Sequence, residues 1–104
     1  MHLTLRQLKI FEAVARHLSF SRAADELHLT QPAVSMQVRS LEEAAGLPLT
    51  EQVGKKIFLT EAGGELARHA RVVAQQLREA EEALAAMKGL RGGLLNIAAV
   101  STAK

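Results

Sequence analysis

The stretch Ser21-Arg22-Ala23-Ala24-Asp25-Glu26-Leu27-His28-Leu29-Thr30-Gln31-Pro32-Ala33-Val34-Ser35 decides the fold. It reads as a short helix, a three-residue turn and the capped start of a second helix. Thr30 is a favourable N-cap, and Pro32 in the first turn forfeits no intrahelical hydrogen bond. This is the spacing of a helix-turn-helix, whose second helix can enter the DNA major groove. Nothing else in the chain suggests chemistry, whereas this segment implies a partner.

Upstream, residues 4 to 18 carry Leu8, Phe11, Val14, Ala15 and Leu18 at helical spacing, which predicts one apolar stripe. Ser19 caps the next helix, near 21 to 28, and Phe20 is expected to pack into the core. The third helix is predicted over 31 to 45, with Val34, Val38, Leu41 and Ala45 facing inward. Gly46 is a natural stop, and Pro48 forbids continuation.

Downstream, Leu49 to Val53 and Lys56 to Thr60 read as two short strands around Gly54-Lys55, a small hairpin or wing. A ribbon of two strands is marginal alone and must lean on the helices. Thr60 then caps a long helix. Leu66, Ala70, Val73, Leu77, Ala80, Leu84 and Met87 alternate four and three apart, an unbroken heptad seam. The helix is expected to end at Gly89, so that 61 to 88 would be roughly 42 Å long. So narrow a stripe finds too little partner surface in one small domain, and a second chain is the simplest partner. Arg91-Gly92-Gly93 reads as a linker, and Leu94 to Val100 as a buried strand that begins a further, truncated domain. The expected organisation is a mainly α winged helix-turn-helix over 1–60, a dimerising linker helix with coiled-coil pairing over 61–89, and a hinge with a first strand over 90–104.

Composition narrows the function classes. The chain has 104 residues, 48% of them hydrophobic, so it is not a disordered chain. It lacks cysteine, which excludes disulfides and thiolate metal sites. His2, His17, His28 and His69 show no ligand spacing, and no metal or cofactor is expected. Net charge is only +2, and residues 1–60 hold seven Lys and Arg against six Asp and Glu. Any basic patch must therefore be local. No apolar run approaches the ~20 residues of a membrane span, and the N-terminus lacks a signal-peptide core. A cytoplasmic, nucleoid-associated protein is the expectation.

On the third helix, 100° per residue sets Pro32, Met36, Arg39 and Glu43 opposite the core face. Ser35 flanks them and Gln31 starts the helix. Gln pairs bidentately with adenine, and Ser bonds either kind of base edge. Met36 reads either as an ordinary exposed methionine or as a contact to a thymine methyl or a base-stack edge. Phosphate anchors are expected from Arg6, Arg22, Arg39, Lys55 and Lys56, and from the Ser19, Ser21 and Thr30 helix starts.

Several segments together resemble a known family. Leu5-Arg6-Gln7-Leu8-Lys9-Ile10-Phe11, Ser19-Phe20-Ser21-Arg22-Ala23-Ala24, Leu27 to Ser35, Leu41-Glu42 and Leu59-Thr60-Glu61-Ala62-Gly63 are similar to the N-terminal domain of LysR-type transcriptional regulators. The resemblance covers essentially the whole chain. It implies a winged helix-turn-helix followed by a linker helix that pairs antiparallel with its dimer mate. It implies a C-terminal effector domain resembling periplasmic binding proteins, of which only Leu94 to Lys104 would remain. Full-length members are typically tetramers that bind interrupted palindromic operators in double-stranded DNA and answer to a small molecule, to which this fragment alone should not respond. By position, Gln31, Pro32, Ala33 and Ser35 match the base-contacting start of the recognition helix, and Gln37 a residue that supports DNA contact. Many members carry Arg where this chain has Met36 and Gln52. Ser35-Met36-Gln37-Val38-Arg39, Leu47-Pro48-Leu49 and Gly54-Lys55-Lys56 look most like the branch that activates carbon-fixation (RuBisCO) operons.

Two other classes compete. A coiled-coil interaction module without DNA binding suits the heptad seam, but gives no reason for Gln31, Pro32 and Ser35 on a capped outward face. An enzyme fits least, because no nucleophile–base set, phosphate loop or metal cluster is present.

Overall fold

The computed structural model describes the backbone of residues 1–103 and the side chains of residues 1–90. Its elements are α1 (Leu5–His17), α2 (Phe20–Leu27), α3 (Gln31–Ala45), β1 (Thr50–Val53), β2 (Lys56–Leu59) and α4 (Glu61–Ala103). Each helix begins where a hydroxyl can accept an otherwise unpaired N–H. Thr4 accepts from Gln7 N while the Gln7 side chain accepts from Thr4 N, a closed capping box. Ser19 accepts from Arg22 N, Thr30 from Ala33 N and Thr60 from Gly63 N. α3 carries its proline in the first turn, where it was expected.

The helices end on left-handed residues. Gly46 closes α3 at φ 71, as glycine does without steric cost. Leu18 and His28 take the same region at φ 49 and φ 57 without that freedom. This corrects the first apolar stripe: Leu18 is the exposed cap of α1, not a core residue. Ile10 and Ala13 are buried instead, beside Phe11 and Val14. The physical reason is that α1 packs against both α2 and α3, so its buried arc is wider than one stripe.

The core joins those four residues to Ala23 and Ala24 of α2, to Val34, Val38 and Leu41 of α3, and to Leu49. Phe20 and Leu66 pack against it. The wing pairs Thr50 with Leu59, Glu51 with Phe58, Gln52 with Ile57 and Val53 with Lys56.

Backbone at Leu49 ties the wing to the helices on both sides. Its N–H donates to Glu42 Oε2 at 2.8 Å, and Thr50 N donates to the same oxygen at 3.4 Å. Its carbonyl accepts from Thr60 N at 3.1 Å. The Thr60 hydroxyl donates to the Pro48 carbonyl at 2.7 Å. Gly63 lies so near that an added Cβ would stand 1.9 Å from the Leu49 carbonyl oxygen. A second tie joins α1 to α2: Arg16 forks onto Glu26 and also bonds Glu12, while His17 bonds Glu26 at 2.8 Å. The Arg16 guanidinium, and after it His17, hold the Glu26 carboxyl down at about 2.

The chain divides into two compact units, Met1–Ala74 and a second that begins at Gln75. Two sequence expectations change here. α4 does not stop at Gly89 but continues to Ala103, and Leu94 to Val100 are helical rather than a strand. A strand needs a neighbouring edge to satisfy its N–H and C=O groups, whereas a helix satisfies them internally. That gain outweighs the roughly 1 kcal/mol that each of Gly89, Gly92 and Gly93 costs inside a helix. Lys104 lies outside the described residues. The heptad seam also changes at its start. Ala70 is 1% exposed within the single chain and offers no surface to a second chain, and Leu66 is half-buried against the core.

Two measurements check these ties. Gly63→Ala should lose about 1–3 kcal/mol of stability by overpacking against the Leu49 carbonyl. Gly64→Ala, where nothing lies within 4 Å, should gain about 0.5–1 kcal/mol; urea melts read both, and equal effects would refute the close approach. Because folding lowers the Glu26 pKa, its contribution is complete above pH 4.5 and disappears as pH falls toward about 2. Glu26 is exposed enough to limit that contribution to about 1 kcal/mol. Glu26→Gln should therefore flatten the urea midpoint against pH in that window.

Candidate nucleic-acid interface

α2, the start of α3 and the wing surround an open cleft of about 750 Å³. Ser21 and Arg22 come from α2, with the Ser19 cap beside them. Gln31 and Ser35 come from α3, and Gln52, Lys55, Lys56 and Phe58 from the wing. His17 closes the end nearest α1. The N-terminus of α2 opens here, and its first-turn N–H groups favour an anionic oxygen.

Charge is segregated around this cleft. Arg22, Lys55 and Lys56 line it, and no carboxylate does. Four of the six acidic residues in 1–60 have other partners or line another groove. Glu12 and Glu26 are paired with Arg16, and Glu42 is committed to the Leu49 and Thr50 amides. Glu42 and Glu43 border a separate groove with Arg39, Gly46, Leu47 and Pro48. A nearly neutral head thus presents a locally cationic surface.

The cleft brings together Ser21, Arg22, Gln31, Ser35, Lys55 and Lys56 from the expected set. Gln31 Nε2 donates to Ser35 Oγ at 3.2 Å, which fixes the two side chains relative to each other. Thr30 is the α3 cap. Pro32 and Met36 are exposed on α3 outside the cleft, and Ala33 and Gln37 are half-buried. Arg6 is not part of this cleft. It lines another groove with Leu5, Lys9, Ile10, Leu27 and Leu29. Arg39, in the second half of α3, likewise lines a separate groove.

Six lining residues were not in the expected set: His17, Leu18, Phe20, Gln52, Ile57 and Phe58. Gln52 bonds the Gly54 carbonyl at 3.3 Å and braces the wing tip. Phe58 could have been found from strand alternation, since it shares the face of Lys56. His17 carried no sequence signal, because only the α1 end point places it there. Among the described residues no group of three or more His, Cys, Asp or Glu could hold a metal ion.

The family model for bacterial regulatory helix-turn-helix proteins of the lysR family matches residues 5–64. The chain belongs to the LysR family. A LysR relative from Allochromatium vinosum, the RuBisCO operon transcriptional regulator, is 59% identical over 98% of this chain and 34% of its own length. The chain thus spans about a third of the length of the curated relatives it matches. The BenM DBD complex with catB site 1 DNA superimposes with TM-score 0.70 at 32% identity, over 74% of this chain and 86% of that one. The CbnR DBD–DNA complex gives 0.69 at 35% identity, over 81% and 98%. These similarities agree with a winged helix-turn-helix in a family of transcriptional regulators, not of enzymes. The branch resemblance seen in the α3 and wing residues also agrees with the RuBisCO-operon relatives.

Proposed function

We propose that this LysR chain is the part of a bacterial transcription regulator that binds double-stranded DNA and dimerises. One observation carries the reading: the cleft between α3 and the wing holds three cations and no carboxylate. α3 lies along the major groove. Gln31, Pro32, Ala33, Ser35 and Met36 face base edges, with Gln31 and Ser35 supplying the polar contacts. Arg22, Lys55 and Lys56 hold the phosphate backbone, with Ser21 at the α2 N-terminus. Thr30 and Gln37 support the same strand, and Arg6 and Arg39 reach phosphates outside the cleft.

Residues 1–60 act as the DNA-binding head and 61–89 as the dimerising linker. The exposed part of the seam, Val73, Ala80, Leu84 and Met87 with half-buried Leu77, pairs with a second copy. Leu84 is 67% exposed and Met87 58% exposed in the single chain. Two linked heads then meet successive major grooves on one side of an interrupted palindromic operator. In the whole regulator, a further domain binds the small-molecule effector and the assembly is a tetramer. Its relatives' descriptions as RuBisCO operon regulators support an activator of a carbon-fixation operon. A cytoplasmic, nucleoid-associated location follows from that role.

Selection from a random duplex pool should enrich an interrupted palindrome, with affinity falling steeply as salt rises. Gln31→Ala with Ser35→Ala should weaken the selected duplex by about tenfold or more, since a good base pair contact is worth ~1–3 kcal/mol. Retained affinity would overturn Gln31 and Ser35 as base-reading residues, and no duplex binding even at low salt would support a coiled-coil module instead. Leu84→Asp should abolish dimers in sedimentation while the helical signal and the melting of the head persist. Unchanged dimers would refute the seam.

A further inference from the structure

The exposed surface of α3 is divided. Gln31 and Ser35 line the cleft and are bonded to each other. Met36 lies about 100° further round the helix, with Pro32 one turn before it. It is 67% exposed, a long apolar side chain on the outward face of α3. Ala33, half-buried, precedes it by three residues. Pro32, Ala33 and Met36 carry no side-chain N–H or O–H donor between them, and at most a weak sulfur acceptor. The hydroxyls on either side are engaged: Ser35 accepts the Gln31 amide at 3.2 Å, and Ser40, one turn later, accepts the Gln7 amide at 3.5 Å.

A base edge pressed against this patch would lose water and gain no hydrogen bond in return. The one apolar group that B-DNA offers in the major groove is the C5 methyl of thymine. An unbranched, polarisable methionine adapts to such a small group without requiring a fixed geometry. We propose that Met36, flanked by Pro32 and Ala33, selects thymine by burying its C5 methyl. This rests on reading α3 as the DNA-reading helix. It divides the recognition surface into a polar sector, Gln31 with Ser35, and an apolar sector centred on Met36. Specificity in the apolar sector comes from shape and desolvation, with no bidentate contact.

The test uses the duplex selected by this chain. Each thymine is replaced in turn by deoxyuridine, which removes only the methyl group. For the unsubstituted protein, one thymine in each half-site should show about fourfold weaker binding, the worth of one buried methyl-sized group. With Met36→Ala that same replacement should change affinity by less than about twofold. Since Met36 is exposed, the variant should keep its helical signal and melting temperature. If the duplex binds tightly and no thymine shows a Met36-dependent methyl effect, the assignment is overturned while DNA reading stands. If no duplex binds even at low salt, both are overturned.

Discussion

The recognition surface depends on how the backbone at Leu49 is held. The wing is only two strands, too few to be stable alone. Its entry is fixed by the Glu42 carboxylate, which receives the Leu49 and Thr50 amides. Its exit is fixed by Thr60, which donates its amide to the Leu49 carbonyl and its hydroxyl to Pro48. Gly63 leaves the space that this close approach requires. One point on the chain thereby sets the wing against α3 and sets where α4 begins. Without it Lys55 and Lys56 would have no defined position relative to Gln31 and Ser35.

The second constraint is electrostatic. A head with nearly equal numbers of acids and bases has little net field, and bulk charge gives no reason to bind a polyanion. The fold produces one by sorting. Arg16 occupies Glu12 and Glu26 at the α1–α2 junction, and Glu42 is spent on the wing. The cations left beside the α2 N-terminus then face a cleft without opposing charge. This sorting combines structural and functional roles: the carboxylates that stabilise helix packing are paired or bonded and do not line the cleft.

Much of this was legible in the residues. Capping hydroxyls at Ser19, Thr30 and Thr60, the glycine at 46 and the proline at 32 are local signals, and the structure places each where local chemistry requires. On α3 the inward residues Val34, Val38 and Leu41 were legible, while Ala45, near its end, is only half-buried. α1 was read less well, since it packs on two neighbours and buries Ile10 and Ala13 beyond one stripe. Leu66 and Ala70 fit the heptad perfectly, yet tertiary packing claims them for the head. Leu94 to Val100 show the limit of a short apolar run, for which length and flanking glycines did not separate strand from helix. The cleft itself was half legible: its charged residues stood out, whereas Gln52 and His17 join it only through the three-dimensional arrangement.

The site emerges within this one chain from capped helix starts, one clasped carbonyl and one redirected set of carboxylates. The central claim is that duplex DNA meets the α2–α3–wing cleft and the outward arc of α3. Mapping backbone amide shifts while a selected duplex is titrated tests it most directly. The account predicts that changes concentrate at Ser21, Arg22, Gln31, Ala33 to Met36, Lys55 and Lys56, with the Glu12–Arg16 segment of α1 unaffected. Changes centred on that α1 segment or on residues 77–90, with the cleft silent, would contradict it.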